Sequence, residues 1–134
     1  MRYFRYYVPF SGSLYWGNRT MVNEYGHDNP NWTAQLLENA IIAQGYTAED
    51  FYVLALTGTK DFAYRTVNMQ IEDMKQHSDM FHYDSDEVNG NFTLLLGENE
   101  EHDYHAKRLY IFNSLPMISQ MIAKRDILIS GNND

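Results

Sequence analysis

Two short runs of almost unbroken apolar residues constrain this chain more than anything else in it: Phe51 to Leu56 (FYVLAL) and Phe92 to Leu96 (FTLLL). They are too short for a buried helix. They also lack the strict alternation of a strand with one face in water, so they predict strands buried on both faces, as in a parallel sheet. Parallel neighbours cannot be joined by a tight turn and need a crossover, usually a helix. The residues between the two runs supply one, because Tyr64, Val67, Ile71 and Met74 recur at helical spacing and predict an amphipathic helix from Phe62 to about His77.

The flanking segments extend the pattern. Tyr3 to Phe10 is aromatic and β-branched enough for a strand that Pro9 limits near its end, and Ser11-Gly12-Ser13 is a turn signal. Leu14 to Pro30 is a long aromatic and polar loop. Asn31 is placed to cap a helix carrying Leu36, Leu37, Ala40 and Ile41, with Gly45 closing it. Asn89-Gly90 is a turn, and a last helix is expected from about Tyr104 to Ala123, bent or split at Pro116, with a flexible tail over residues 124–134. The order strand, helix, strand, helix, strand, helix predicts a single α/β domain with three mostly parallel strands and flanking helices.

In such sheets sites form beyond the carboxyl ends of the strands. Three loops lie there: Ser11 to Asn18, Gly58 to Asp61, and Gly97 to His102. They place Asp61 and His102 on one edge, acid before histidine, the order in which those two members of a Ser-Asp-His triad occur in α/β-hydrolases. In that chemistry a histidine takes the serine proton and a carboxylate holds the imidazole in the correct tautomer. Each residue also has a plainer reading. Asp61 directly precedes a helical stripe, where Asp caps by default. His102 lies among Glu98, Glu100, Glu101 and Asp103, which favour its protonated form and suit a solvated loop histidine. The nucleophile motif G-x-S-x-G does not occur. Ser11 and Ser13 lie near the edge but read as turn residues. His102, Asp103 and His105 lack a third partner at signature spacing and H-E-x-x-H is absent, so no metal site is expected. Tyr15 and Trp16 could stack on an aromatic acid or a sugar ring, or plug the sheet edge.

Composition removes several function classes. A net charge of −8 with no Lys/Arg cluster excludes a basic face for nucleic acid and argues against a membrane-surface role. No apolar run approaches a membrane span. With no cysteine there is no disulfide framework, thiolate metal site or cysteine nucleophile. The start MRYFRYYVPFSG lacks the apolar core and cleavage site of a signal peptide and reads as a strand entered without a preceding turn. Asn18, Asn31 and Asn91 open N-x-T sequons, of the number expected by accident in an Asn-rich chain.

The segments PFSGSLYWGN (Pro9 to Asn18), TGTKDFAYRTVNMQIEDM (Thr57 to Met74), NGNFTLLL and HDYHAKRLYIFNSLP (His102 to Pro116) together resemble the C-terminal half of an esterase family. Its relevant branch is the feruloyl and acetyl-xylan esterases, related to esterase D and enterochelin esterase. The resemblance covers about Tyr3 to Ile118. It implies the C-terminal half of an α/β-hydrolase fold. It also implies an extracellular carboxylic-ester hydrolase that removes ferulate or acetate from plant cell-wall polysaccharide without metal or organic cofactor. The family's acid falls on Asp61, its general base on His102, and a substrate-contacting aromatic on Tyr15, with Trp16 adjacent. Three departures accompany the match. The family's nucleophile elbow and oxyanion-hole groups lie upstream of the residues matched here, Ser13 stands where the family often has Asp, and the loop before His102 is longer and more acidic than the family's G-x-T-H. The expectation is therefore a partial domain that supplies acid and base only and self-associates, or needs its other half, through an open sheet edge. The alternative is a non-catalytic module that binds glycans or aromatic esters, or an interaction remnant.

Overall fold

The computed structural model describes residues 4–12 and 31–131. Three strands, β1 (Tyr6–Tyr7), β2 (Tyr52–Gly58) and β3 (Phe92–Gly97), form one sheet in the order β1-β2-β3. All pairings are parallel, with Tyr6 opposite Tyr52 and Val53 opposite Phe92, the latter register running to Gly58 opposite Gly97. Three helices, α1 (Asn31–Ala43), α2 (Tyr64–His77) and α3 (Tyr104–Gly131), complete an α/β architecture.

β2 is the central strand, and its apolar run is buried on both faces as its composition requires. Tyr52, Leu54 and Leu56 pack with Ala106, Tyr110 and Met121 of α3. Ala55 and the neighbouring Phe51 pack on the opposite side with Ala34 and Ile41 of α1, Val67, Ile71 and Met74 of α2, and Phe92. Each large apolar side chain so buried contributes about 1.5–3 kcal/mol. Both cores therefore depend on β2, and the loops at its end inherit a rigid base.

Boundaries differ from expectation where backbone geometry intervenes. β1 is shorter than Tyr3 to Phe10, because regular pairing covers only two residues and Phe10 rejoins β2 by an isolated parallel bridge to Leu56. Gly45 closes α1 in the left-handed conformation (φ 71°), with the Tyr46 N–H returning to the Ile41 carbonyl at 3.2 Å. α3 neither splits nor stops at Pro116. It carries the proline inside and remains helical to Gly131, through part of the segment expected as a flexible tail. Among the described residues no helix is long and apolar enough to cross a membrane.

Candidate active site

β2 and β3 end side by side at Gly58 and Gly97, and the next residues bind the two loops together. The Thr59 N–H donates to the Gly97 carbonyl (3.0 Å) and the Lys60 N–H to the Glu100 carbonyl (3.1 Å). The Asn99 N–H donates to Thr59 Oγ1 at 2.8 Å, with Asn99 at φ 62°. Glu100 thereby lies directly over the strand ends. A Cβ on Gly58 would stand 2.0 Å from the Glu100 carbonyl oxygen, so only glycine allows this approach.

That clamp brings together the two residues singled out by their order. His102 Nδ1 lies 3.0 Å from Asp61 Oδ2 and 3.1 Å from Oδ1. The Asp61 side chain is fully buried, whereas that of His102 is 30% exposed. Asp61 also accepts the Ala63 N–H on Oδ1 (2.7 Å), and its own carbonyl accepts the Tyr64 N–H (3.0 Å). The helix begins at Tyr64 with Ala63 as its N-cap, two residues later than expected, so Asp61 turns the chain toward the helix without capping it, and its carboxylate is free to pair with the histidine. With Nδ1 turned to the acid, Nε2 lies on the far side of the ring and has no hydrogen-bond partner among the described residues. A carboxylate at Nδ1 favours the tautomer protonated there and leaves Nε2 with a free lone pair, the arrangement of a general base.

Three neighbours of the pair carried no signal in the sequence. The Phe62 ring lies against the His102 ring, with centroids 4.3 Å apart at 38°. Ser11, read as a turn residue, donates its hydroxyl to Asp61 Oδ2 at 2.5 Å. Tyr110 is buried close by and its phenol is pushed up to about 12, by desolvation first and then by Asp61, Glu100 and Asp103. Asp103, read as one of several loop acids, receives the Ala106 N–H at 2.8 Å and caps α3. Tyr15, Trp16 and Ser13 lie outside the described residues. Among the described residues no three His, Cys, Asp or Glu side chains gather to hold a metal ion. Asn91 of the third sequon is buried, its amide bonded to the Ala48 and Met80 carbonyls and its oxygen to the His82 N–H, so it is spent on structure.

The parallel three-stranded sheet with its flanking helices matches solved structures. The chain superposes on a feruloyl esterase module from Clostridium thermocellum, solved as a serine-to-alanine mutant complexed with sinapinate, with a TM-score of 0.71 and 33% identity. Over most of its length the chain is feruloyl-esterase-like. The match covers 86% of this chain and 37% of the esterase module, and a second solved structure, described as FAE, agrees to the same degree. A curated protein, endo-1,4-beta-xylanase Y of Acetivibrio thermocellus, is 33% identical over 114 residues, which is 85% of this chain and 10% of that protein. No family model matches. The feruloyl-esterase-like chain thus spans little more than a third of the solved modules and a tenth of the curated relative.

Proposed function

We propose that this chain carries the acid and the general base of a serine ester hydrolase of the feruloyl/acetyl-xylan type, acting on esters of plant cell-wall polysaccharide outside the cell. The contact of His102 Nδ1 with the buried Asp61 carboxylate is the observation that carries the reading. In the reaction a serine hydroxyl adds to the ester carbonyl while its proton passes to His102 Nε2. Asp61 stabilises the imidazolium, which then protonates the departing sugar alcohol. Water repeats the sequence to release the acid. Ser11 does not fit the nucleophile's part, because its hydroxyl is donated to Asp61 on the Nδ1 side of the ring. The serine and the oxyanion hole come in this reading from a segment that docks beside β1, at the end of the described sheet. An apolar hollow of about 750 Å³, lined by Tyr7, Leu37, Ile41, Phe51, Val67 and Ile71, lies between the sheet and the helices α1 and α2, and neither Asp61 nor His102 lines it. Without that segment the same edge pairs copies of the chain, which sedimentation would show as a mass rising with concentration.

The test is an exchange. This chain replaces the matching stretch of the Clostridium feruloyl esterase module, and hydrolysis of methyl ferulate and of an acetylated xylo-oligosaccharide is measured. Asp61→Ala is expected to lower kcat by roughly 10⁴-fold and His102→Ala by roughly 10⁴–10⁶-fold, the losses typical of a triad's acid and base. A folded hybrid whose turnover survives both substitutions would sink the assignment. A hybrid that binds ferulate with no turnover would favour the binding-module reading.

A further inference from the structure

We infer that Ser11 is a positioning residue, whose hydroxyl fixes the rotation of the Asp61 carboxylate and through it the tautomer of His102. The inference rests on the acid–base reading of those two residues and adds a member to it. Asp61 meets three donors. Oδ1 takes the Ala63 N–H at 2.7 Å, Oδ2 takes the Ser11 hydroxyl at 2.5 Å, and His102 Nδ1 stands nearly equidistant from both oxygens. A carboxylate held from one oxygen alone can turn about its Cβ–Cγ bond. Held from both, it presents one edge to the imidazole.

The backbone around Ser11 is built for this contact. Phe10 pairs with Leu56, and the Ser11 N–H donates to the Leu56 carbonyl at 2.7 Å, so the residue is tied to the central strand. Its φ is 51°, in the left-handed region that favours glycine and disfavours serine. A turn needing only that conformation would be better served by glycine. Serine keeps the same backbone and adds the one group that reaches Asp61, 50 residues further along the chain. A disfavoured conformation tied to a half-buried polar contact is the pattern of a residue whose side chain has a task.

The experiment is a long-range proton–nitrogen NMR correlation on the chain with ¹⁵N-labelled histidine, at a pH where the imidazoles are neutral. It reads which ring nitrogen of His102 carries the proton. His77, whose Nδ1 lies 3.1 Å from Asp73, is an internal reference for folded protein. The unsubstituted chain is expected to hold His102 in the Nδ1–H form. Ser11→Gly is expected to lower the ratio of Nδ1–H to Nε2–H by about five- to tenfold, the effect of one net hydrogen bond. Glycine relieves the left-handed backbone while the hydrogen bond to Asp61 is lost, so the two effects largely offset and the variant stays folded. If Asp61→Ala shifts the tautomer and Ser11→Gly does not, Ser11 only closes a turn and the inference fails alone. If Asp61→Ala also leaves the tautomer unchanged, the acid–base reading fails with it.

Discussion

Asp61 and Asp73 are both buried carboxylates that meet the Nδ1 of a histidine, yet their other partners give them different tasks. Asp73 also accepts the Thr33 hydroxyl at 2.5 Å and the Ala34 N–H at 2.7 Å, so it caps α1 from within α2 and stitches the two helices together. Its histidine, His77, is one turn further along its own helix and adds local support. Asp61 joins residues from three separate loops at the end of the sheet. Asp73→Ala should therefore cost stability rather than shape the site. It leaves a buried hydroxyl and a helix N–H without their acceptor, which lowers unfolding free energy by about 3 kcal/mol. Denaturant unfolding measures this, and a loss below about 1 kcal/mol would show that α1 does not depend on the contact. At the residue scale the sequence presented Asp61 and His102 clearly, since each follows a strand-like run. Ser11 was hidden, because nothing in Ser-Gly-Ser distinguishes a serine that closes a turn from one that reaches across to another strand's loop.

The two sheet strands and the loops that follow them form one unit at the element scale. β2 and β3 were legible from Phe51 to Leu56 and Phe92 to Leu96, and both extend two residues or fewer beyond those runs, into the glycines that end them. Those glycines set the approach of the loop carrying His102. Gly58→Ala is expected to force the Glu100 backbone outward, because no rotamer change can clear a carbonyl oxygen 2.0 Å from the new methyl. The cost should reach about 1–3 kcal/mol, as for other overpacked positions. The same displacement should pull His102 from Asp61, visible as altered His102 ring resonances. Unchanged stability together with an unchanged His102 spectrum would mean that the clamp does not position the histidine. α3 settles one of the two outcomes expected at Pro116, since it is not split there. Proline removes one hydrogen bond, and α3 is anchored on either side of it by Tyr110 and Met121 in the core below β2. Tertiary packing outweighs the local defect.

Acidic charge and buried phenols together govern how the whole molecule responds to pH. Tyr52 and Tyr110 both lie in the core between β2 and α3, and burial raises the titration of each, with nearby carboxylates adding to the effect. The folded state then holds these protons more tightly than the unfolded chain, whose phenols titrate near 10. Stability is full below about pH 10 and falls as the pH rises toward 12, by up to about 1.4 kcal/mol per pH unit for each group. Tyr110→Phe should flatten that decline. It should also leave stability at neutral pH unchanged or slightly higher, because the Tyr110 hydroxyl has no hydrogen-bond partner among the described residues. Thermal melts at pH 8 and pH 11 on both proteins test this. A Tyr110→Phe variant that loses alkaline stability as steeply as the parent would refute it.

The amino-acid sequence by itself determined the α/β class, the parallel strands and the edge on which Asp61 and His102 lie, because periodicity and apolar runs are local properties that any fold of this chain must bury. What depended on contacts between distant segments was decided only by the tertiary structure. The crossing of two loops over paired glycines, the serine from the end of β1 on the far oxygen of Asp61, and the continuation of α3 past its proline each join residues that the chain order does not associate. A carboxylate's partners are set by distances of about 3 Å in space, and those distances exist only once both faces of β2 have been covered.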